Sequence, residues 1–212
     1  MFFLSFIGGG LIAVKAQSIA SGPTPGEIYF ICDNSNGYNI YRSTDHGETA
    51  TLINPENWNP YLYADKSPGC IYTVSSNEHL YFSDNFGYPG SWIQRPGNYD
   101  LEMFSGVHEG FIYSGLSKHS EDYGETWIDH QVNGLPEIYG LQSIAGDKNG
   151  DLMYVFINDQ SGGYYLFGSY NNYNDCFLID TINISETPIQ ELCLGANPGE
   201  LYAYRIPMMT GD

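Results

Sequence analysis

Positive charge is what this chain has least of. Four lysines and three arginines stand against 25 acidic residues, for a net charge of -18. Such a surface repels phosphate backbones and anionic headgroups, so nucleic acid and anionic membrane surfaces are disfavoured as partners. Cysteine is also scarce. Cys32, Cys70, Cys176 and Cys193 form no C-x-x-C pair and have no histidine within three residues, which removes the usual zinc spacings. They read as small apolar residues in or near strands; in an oxidising compartment, three full disulfide pairings stay open. No G-x-S-x-G elbow exists to seat a serine nucleophile, and the five histidines lie singly, at 46, 79, 108, 119 and 130. The longest apolar stretch, Phe2 to Val14, is broken by Gly8 to Gly10 and is too short to insert across a membrane. Nothing in the sequence asks for a cofactor or a metal.

Aromatic and turn-forming residues are plentiful. With 19 Tyr, 11 Phe, 3 Trp, 25 Gly and 11 Pro, the composition is that of an all-β protein with many tight turns. At 212 residues, 42% of them apolar, the chain suits one domain or a piece of a larger one.

A turn followed by an apolar residue and tyrosine recurs five times. The copies are Pro25-Gly26-Glu27-Ile28-Tyr29, Pro68-Gly69-Cys70-Ile71-Tyr72, Glu109-Gly110-Phe111-Ile112-Tyr113, Asn149-Gly150-Asp151-Leu152-Met153-Tyr154 and Pro198-Gly199-Glu200-Leu201-Tyr202. The tyrosines step by 43, 41, 41 and 48 residues. A glycine turn leading into an apolar, aromatic run is a hairpin signal, and a period of about 40–45 residues is that of a four-stranded propeller blade.

A second pattern keeps the same beat. Ser43-Thr44-Asp45-His46-Gly47-Glu48-Thr49 is one copy, and Ser120-Glu121-Asp122-Tyr123-Gly124-Glu125-Thr126-Trp127 is the fullest. Ser83-Asp84-Asn85-Phe86-Gly87 carries Asn85 in the aspartate place, with its Ser91-Trp92 ending displaced by Pro89-Gly90. Ser169-Tyr170-Asn171-Asn172-Tyr173 reads as a decayed fourth copy. These residues resemble the Asp box, or BNR repeat, S-x-D-x-G-x-T-W, of sialidase-like and sortilin-like propellers, over the chain from Ile19 onward.

The resemblance implies a β-propeller segment of four to five four-stranded antiparallel blades. The blades run from Ile19 to near Leu52, then to Gln94, to Gln131 and to Asp180, with two strands of a fifth starting near Gln190. It places each box at the turn between a blade's third and fourth strands, away from the central axis. Ser43, Asp45, Gly47, Thr49, Ser83, Asn85, Gly87, Ser120, Asp122, Gly124, Thr126 and Trp127 are then structural. A short carboxylate accepts turn N–H groups, glycine supplies positive φ, and Trp92 and Trp127 cover blade core. Residues 1–18 stand apart from the blades of 19–212. They read either as a secretory signal without its basic start, with Val14 and Ala16 at the cleavage positions, or as two strands of a preceding blade, Phe2 to Ile7 and Leu11 to Ile19. A closed propeller needs its last sheet completed: either Phe2 to Ile7 supplies the missing outer strand or the chain is cut from a longer one, and with a blade and a half short of the usual six or more, a longer parent chain is expected.

Tyr204-Arg205-Ile206-Pro207 resembles the sialidase motif whose arginine clamps the sialic acid carboxylate, a task suited to a charged planar fork. Arg205 is therefore the one carboxylate-binding candidate. In that family, however, the motif precedes the first box, and here it follows three. In the repeat register Arg205 matches Cys32, a mere strand slot. Arg42 adjoins Ser43 on an expected outer strand and Arg95 lies by a blade edge, so no arginine triad assembles. Glycosidase carboxylate pairs and the propellers that cleave xyloglucan offer a further precedent, but no two of the acids single themselves out. Asp147-Lys148-Asn149-Gly150-Asp151 alternates oxygen ligands as calcium loops do, yet it occupies a hairpin turn and lacks the downstream glutamate. Asp33-Asn34-Ser35-Asn36-Gly37 reads as a turn for the same reason. Asn183-Ile184-Ser185 is a glycosylation sequon.

The expectation is a secreted or cell-surface binding or scaffold module, without catalytic residues, for a glycan or protein. Tyr61, Tyr63, Tyr99 and Tyr139 are candidates for stacking on sugars. The alternative is a glycoside hydrolase, a piece of a sialidase-like exo-glycosidase.

Overall fold

The structure, a computed structural model, describes residues 2–7, 10–34, 37–54, 61–75, 77–97, 103–106, 108–129, 131–136, 138–146, 153–159, 163–171, 174–182, 189–194 and 201–205. These are strands and turns, with no helix among them. The first sheet contains β1 (Phe2–Ile7), β2 (Gly10–Ser21), β3 (Ile28–Asn34), β4 (Gly37–Ser43) and β5 (Thr51–Asn54), in that order. The second has β6 (Tyr61–Ala64), β7 (Ile71–Val74), β8 (Leu80–Ser83) and β9 (Ile93–Gln94). The third has β10 (Met103–Ser105), β11 (Ile112–Ser114), β12 (Lys118–Ser120) and β13 (Ile128–Asp129). The fourth has β14 (Ile138–Gly146), β15 (Met153–Asp159), β16 (Tyr164–Ser169) and β17 (Phe177–Ile182), and β18 (Ile189–Leu194) pairs with β19 (Leu201–Arg205). Each sheet follows chain order, so short turns suffice to link neighbours. In the first sheet β1 pairs with β2 and β2 with β3, so Phe2–Ile7 and Gly10–Ser21 run beside Ile28–Asn34.

The chain divides into two compact units. One comprises Met1–Ser105, Glu109–Ser114 and Ser120–Trp127; the other comprises Gly106–His108, Gly115–His119 and Ile128–Asp212.

The repeated tyrosine occupies the second position of β3, β7, β11, β15 and β19, as Tyr29, Tyr72, Tyr113, Tyr154 and Tyr202. Tyr29 lies opposite Ala20 and Arg42, Tyr72 opposite Tyr63 and Phe82, and Tyr154 opposite Ala145 and Gly168. Tyr29, Tyr72 and Tyr113 are fully buried. A buried phenol needs a hydrogen-bond partner. Tyr29 donates to Glu27 Oε1 at 2.8 Å, and Tyr72 to Asp65 Oδ2 at 3.0 Å. Loss of solvent, then the adjoining carboxylate, raises the pKa of both hydroxyls, so they remain donors.

In the first unit the core lies between successive sheets. Tyr29, Ile31, Ile40 and Ile53 meet Leu62 and Ile71 of the second sheet, with Phe86 and Trp92 packed alongside. Tyr72, Val74, Leu80 and Phe82 meet Met103 and Ile112 of the third, with Tyr123 and Trp127 alongside. Strand β7 is buried at every position because both its faces are covered, and alternation sends Ile71 one way and Tyr72 and Val74 the other. Each such aliphatic side chain contributes about 1.5–3 kcal/mol.

The glycine of each first turn is tied to the box turn of its own sheet. Gly26, Gly69 and Gly110 have φ of 83°, 80° and 79°. Their carbonyls accept the amides of His46 (2.9 Å), Phe86 (2.8 Å) and Tyr123 (3.0 Å). Those three residues are themselves left-handed, at φ 60°, 55° and 59°, and their rings lie over the glycines, 3.2 Å from where a Cβ would stand. The positive φ disfavours a side chain, and the ring, joined at Gly26 and Gly110 by a backbone carbonyl, adds a tight contact. Gly110→Ala is therefore expected to cost about 1–3 kcal/mol in urea denaturation. Gly90→Ala, at φ 86° in open space, isolates the backbone strain and should cost less. Equal losses would show that the contacts around Gly110, with the Tyr123 ring and the Glu121 carbonyl, contribute nothing.

Candidate functional site

The box turns carry the densest polar chemistry in the first unit. In the first copy Ser43 Oγ donates to Asp45 Oδ1 (2.7 Å) and accepts the amides of Asp45 (3.3 Å) and Gly47 (2.9 Å). The Asp45 carboxylate also takes the Thr49 amide at 2.9 Å and the Thr49 hydroxyl at 2.6 Å. The third copy repeats the pattern: Ser120 to Asp122 at 2.8 Å, the Gly124 amide to Ser120 at 2.8 Å, and the Thr126 amide and hydroxyl to Asp122 at 2.8 and 2.6 Å. Gly47, Gly87 and Gly124 follow a left-handed residue and are left-handed too, at φ 88°, 72° and 80°. Two such residues in succession reverse the chain tightly enough for one serine to reach two amides.

The second copy is built differently. Ser83 still accepts the amides of Asn85 (3.2 Å) and Gly87 (3.0 Å), but its hydroxyl meets Ser91 Oγ at 2.6 Å in place of a carboxylate. The Trp92 indole donates to Gly87 O at 3.1 Å, and Trp127 donates to Gly124 O at 3.2 Å. The tryptophans thus clamp their own turns while flanking the core between sheets. In the second unit, Ser169 donates to Asn171 Oδ1 at 3.0 Å, which also accepts the Asp175 amide at 2.9 Å, and Asn171 Nδ2 donates to Asp175 Oδ2 at 2.9 Å. Asp175 thereby takes the place of Thr49 and Thr126, four residues after the central side chain. The N-x-x-x-D spacing was the available signal, and the repeat pattern passed over it.

Two buried groups that the motifs did not mark join the sheets of the first unit. Asp65, 2% exposed, accepts the Ser67 amide (2.8 Å), the Tyr72 hydroxyl (3.0 Å) and the Gly110 amide (3.1 and 3.2 Å to its two oxygens). Burial raises its pKa against the pull of those donors. Ser67 also bonds Tyr123 Oη at 3.0 Å. Arg95, 8% exposed, donates Nε to Tyr123 O (2.9 Å) and Nη1 to Glu125 (3.0 Å), with its guanidinium 4.6 Å from the Phe82 ring centre. Arg42 donates to Glu27 Oε1 (2.9 Å from Nε, 2.7 Å from Nη2) and lies 3.9 Å from the centre of Phe86. It sits in β4, flanked by β3 and β5, rather than on an outer strand: the four-residue β5 beyond it takes that place.

The remaining sequence candidates are dispersed. Arg205 is the fifth residue of β19, opposite Ile189, and Cys32 is the fifth of β3. The adjoining Ile206-Pro207, the acidic turn at 147–151, the sequon at 183–185 and Tyr99 lie outside the described residues. Tyr61 is exposed, Tyr63 packs on a core cluster, and Tyr139 lies in β14. Cys32 and Cys70 are buried free thiols that burial pushes up to about 11. Among the described residues no cluster of metal-ligating side chains occurs.

Hydrogen bonds from Thr49, chiefly, hold Asp45 down at about 2; at Asp122 desolvation opposes the same bonds and they prevail. A carboxylate whose folded pKa lies below its unfolded value of about 3.9 gives stability that is complete above that value and lost as pH falls. Asp65, with its raised pKa, works in the opposite sense. The turn aspartates are therefore expected to make the fold acid-labile between about pH 4 and about pH 2. Asp122→Ala should cost about 1 kcal/mol at neutral pH, the low end because the site is part-exposed, and flatten that acid limb in thermal melts. A variant that melts with wild type at both pH values would remove the turn from the account.

No protein family and no curated protein matches this sequence. Solved structures do. The chain is similar to TolB from Acinetobacter baumannii, at 10% identity and a TM-score of 0.63 over 87% of this chain and 47% of that one. The Cps50 (Swd1) beta-propeller domain of Myceliophteria thermophila matches at 8% identity and a TM-score of 0.57 over 92% of this chain and 65% of that one. The GH74 xyloglucanase of Xanthomonas campestris matches at 18% identity and a TM-score of 0.54, over 81% of this chain but 31% of its own length. At such identities the likeness shows the fold, and the chain is an all-β segment of several β-propeller blades.

Proposed function

We propose that this segment is a non-catalytic propeller module of the Asp-box kind that works outside the cytoplasm, holding a glycan or a protein on its exposed surface. The observation that supports this reading is the inward use of its polar groups. Asp45 and Asp122 are filled by donors from their own turns, while Arg42 and Arg95 are held by carboxylate, carbonyl and ring partners. Groups so occupied shape a scaffold. Its strongly acidic composition favours solubility outside the cell and neutral or basic ligands.

The glycosidase alternative rests on Arg205 and on the xyloglucanase among the structural neighbours. It is tested by incubating the chain with a fluorogenic sialoside. No turnover above buffer is expected. Turnover that Arg205→Lys lowers by about a hundredfold, the scale of losing a bidentate charge clamp, would make this an enzyme and overturn the proposal.

A further inference from the structure

The second box departs from its fellows in three ways at once. Asn85 replaces the aspartate, Pro89-Gly90 is inserted, and Tyr88 stands where the first and third copies carry Glu48 and Glu125. The turn itself needs none of these changes, since Ser91 restores the bond to Ser83. Their effect falls on the surface beside the turn. At the third box, Glu125 pairs with Arg95. At the second, Tyr88 lines the surface beside Arg42 instead, and its ring stays 40% exposed. A shallow depression of about 160 Å³ opens there, lined by Arg42, Thr44, Thr49, Thr51 and Tyr88, with Ile53 at its floor.

We infer that this depression binds one ring of a neutral saccharide. The inference rests on the binding-module reading above and gives it a site. The volume is well below the roughly 300 Å³ at which drug-sized pockets begin, so the occupant is small. The lining is hydroxyl-rich rather than greasy. Thr44 and Thr51 are exposed, and the Thr49 hydroxyl, which donates to Asp45, retains its capacity to accept. Arg42 has five N–H groups, of which Nε and one on Nη2 serve Glu27. Because Glu27 offsets its charge and the chain carries -18, an acidic sugar gains nothing here. Tyr88 offers an aromatic face and a polar tip, the pairing that a sugar's C–H face and hydroxyls require. Its ring is steadied by Phe86, at 6.4 Å and edge-on, and Phe86 is in turn capped by Arg42.

The test is a titration of the isotope-labelled chain, followed by amide chemical shifts, with the methyl glycosides of glucose, galactose, mannose and N-acetylglucosamine at millimolar concentrations. The amides of Thr49, Thr51 and Tyr88 are expected to shift with at least one of them. Tyr88→Ala should weaken that binding by about tenfold and Tyr88→Phe by less, because the ring remains. Thr51→Val, on an exposed side chain, serves if Tyr88→Ala fails to fold, and it too should weaken binding. Shifts absent for all four glycosides, or unchanged in Thr51→Val and Tyr88→Ala, overturn the site. A glycan array probed with the same chain keeps the two levels apart. Array binding that survives Tyr88→Ala and Thr51→Val condemns this site and leaves the module reading standing. A chain that binds no glycoside and nothing on the array loses the site and the glycan side of that reading together.

Discussion

The bond from the amide of a left-handed box residue to the carbonyl of a left-handed glycine governs much of the first unit. It occurs at His46 and Gly26, at Phe86 and Gly69, and at Tyr123 and Gly110. Each sheet has two turns at this end, one between its first and second principal strands and one after the third. Neither has a ladder of its own, and left apart both would present bare amides and carbonyls. Joining them satisfies one group of each and seats a ring on the glycine. The left-handed conformation at His46, Phe86 and Tyr123 costs energy that only a fixed surrounding can hold. The serine, aspartate and threonine bonds supply that surrounding.

The same turns are where one sheet grips the next. Asp65 takes the amide of Gly110, and Arg95 takes the carbonyl of Tyr123, so the donor and acceptor left over after the turn-to-turn bond are both used by the preceding sheet. Phe82 stands against Tyr123 at 5.2 Å and under Arg95 at 4.6 Å, which excludes water from these bonds. Between the first and second sheets the grip is mainly apolar, through Ile53, Leu62 and Ile71, with Arg42 over Phe86. Arginine suits both places because its planar cation lies flat on a ring while its edge donates. With only three arginines in the chain, two of them serve packing.

The fold was legible because two patterns with different chemistry kept one period. The tyrosine repeat marks a strand that at β7 is buried on both faces, and the box marks the turn that closes the same sheet. Both are local and leave their residues fixed in spacing. The ties between sheets were not legible, since Asp65 and Gly110 are brought together by packing rather than by sequence distance. Burial of Arg95 was hidden for the same reason: one cation after a tryptophan carries no sign of the carbonyl it will meet. The fourth box looked decayed because its glycine is gone, although Asn171 and Asp175 rebuild most of its bonds from other side chains. A motif written as residue types misses a turn kept by hydrogen-bond geometry. The site beside Tyr88 was half legible, as a break in the second box, but its meaning depended on seeing Arg42 reach across from the neighbouring sheet.

If the turn-to-turn bonds, with the tie from Asp65 to the Gly110 amide, hold the first unit together, their amides must open only when its core opens. Native-state hydrogen exchange reads this directly, residue by residue. The amides of His46, Phe86, Tyr123 and Gly110 are expected to exchange with the same free energy as those of Ile71 and Tyr72 in β7, although His46 itself is exposed. Exchange of these four at the rate of surface loops, while β7 stays protected, would show that the turns fray independently and that the core alone carries the fold.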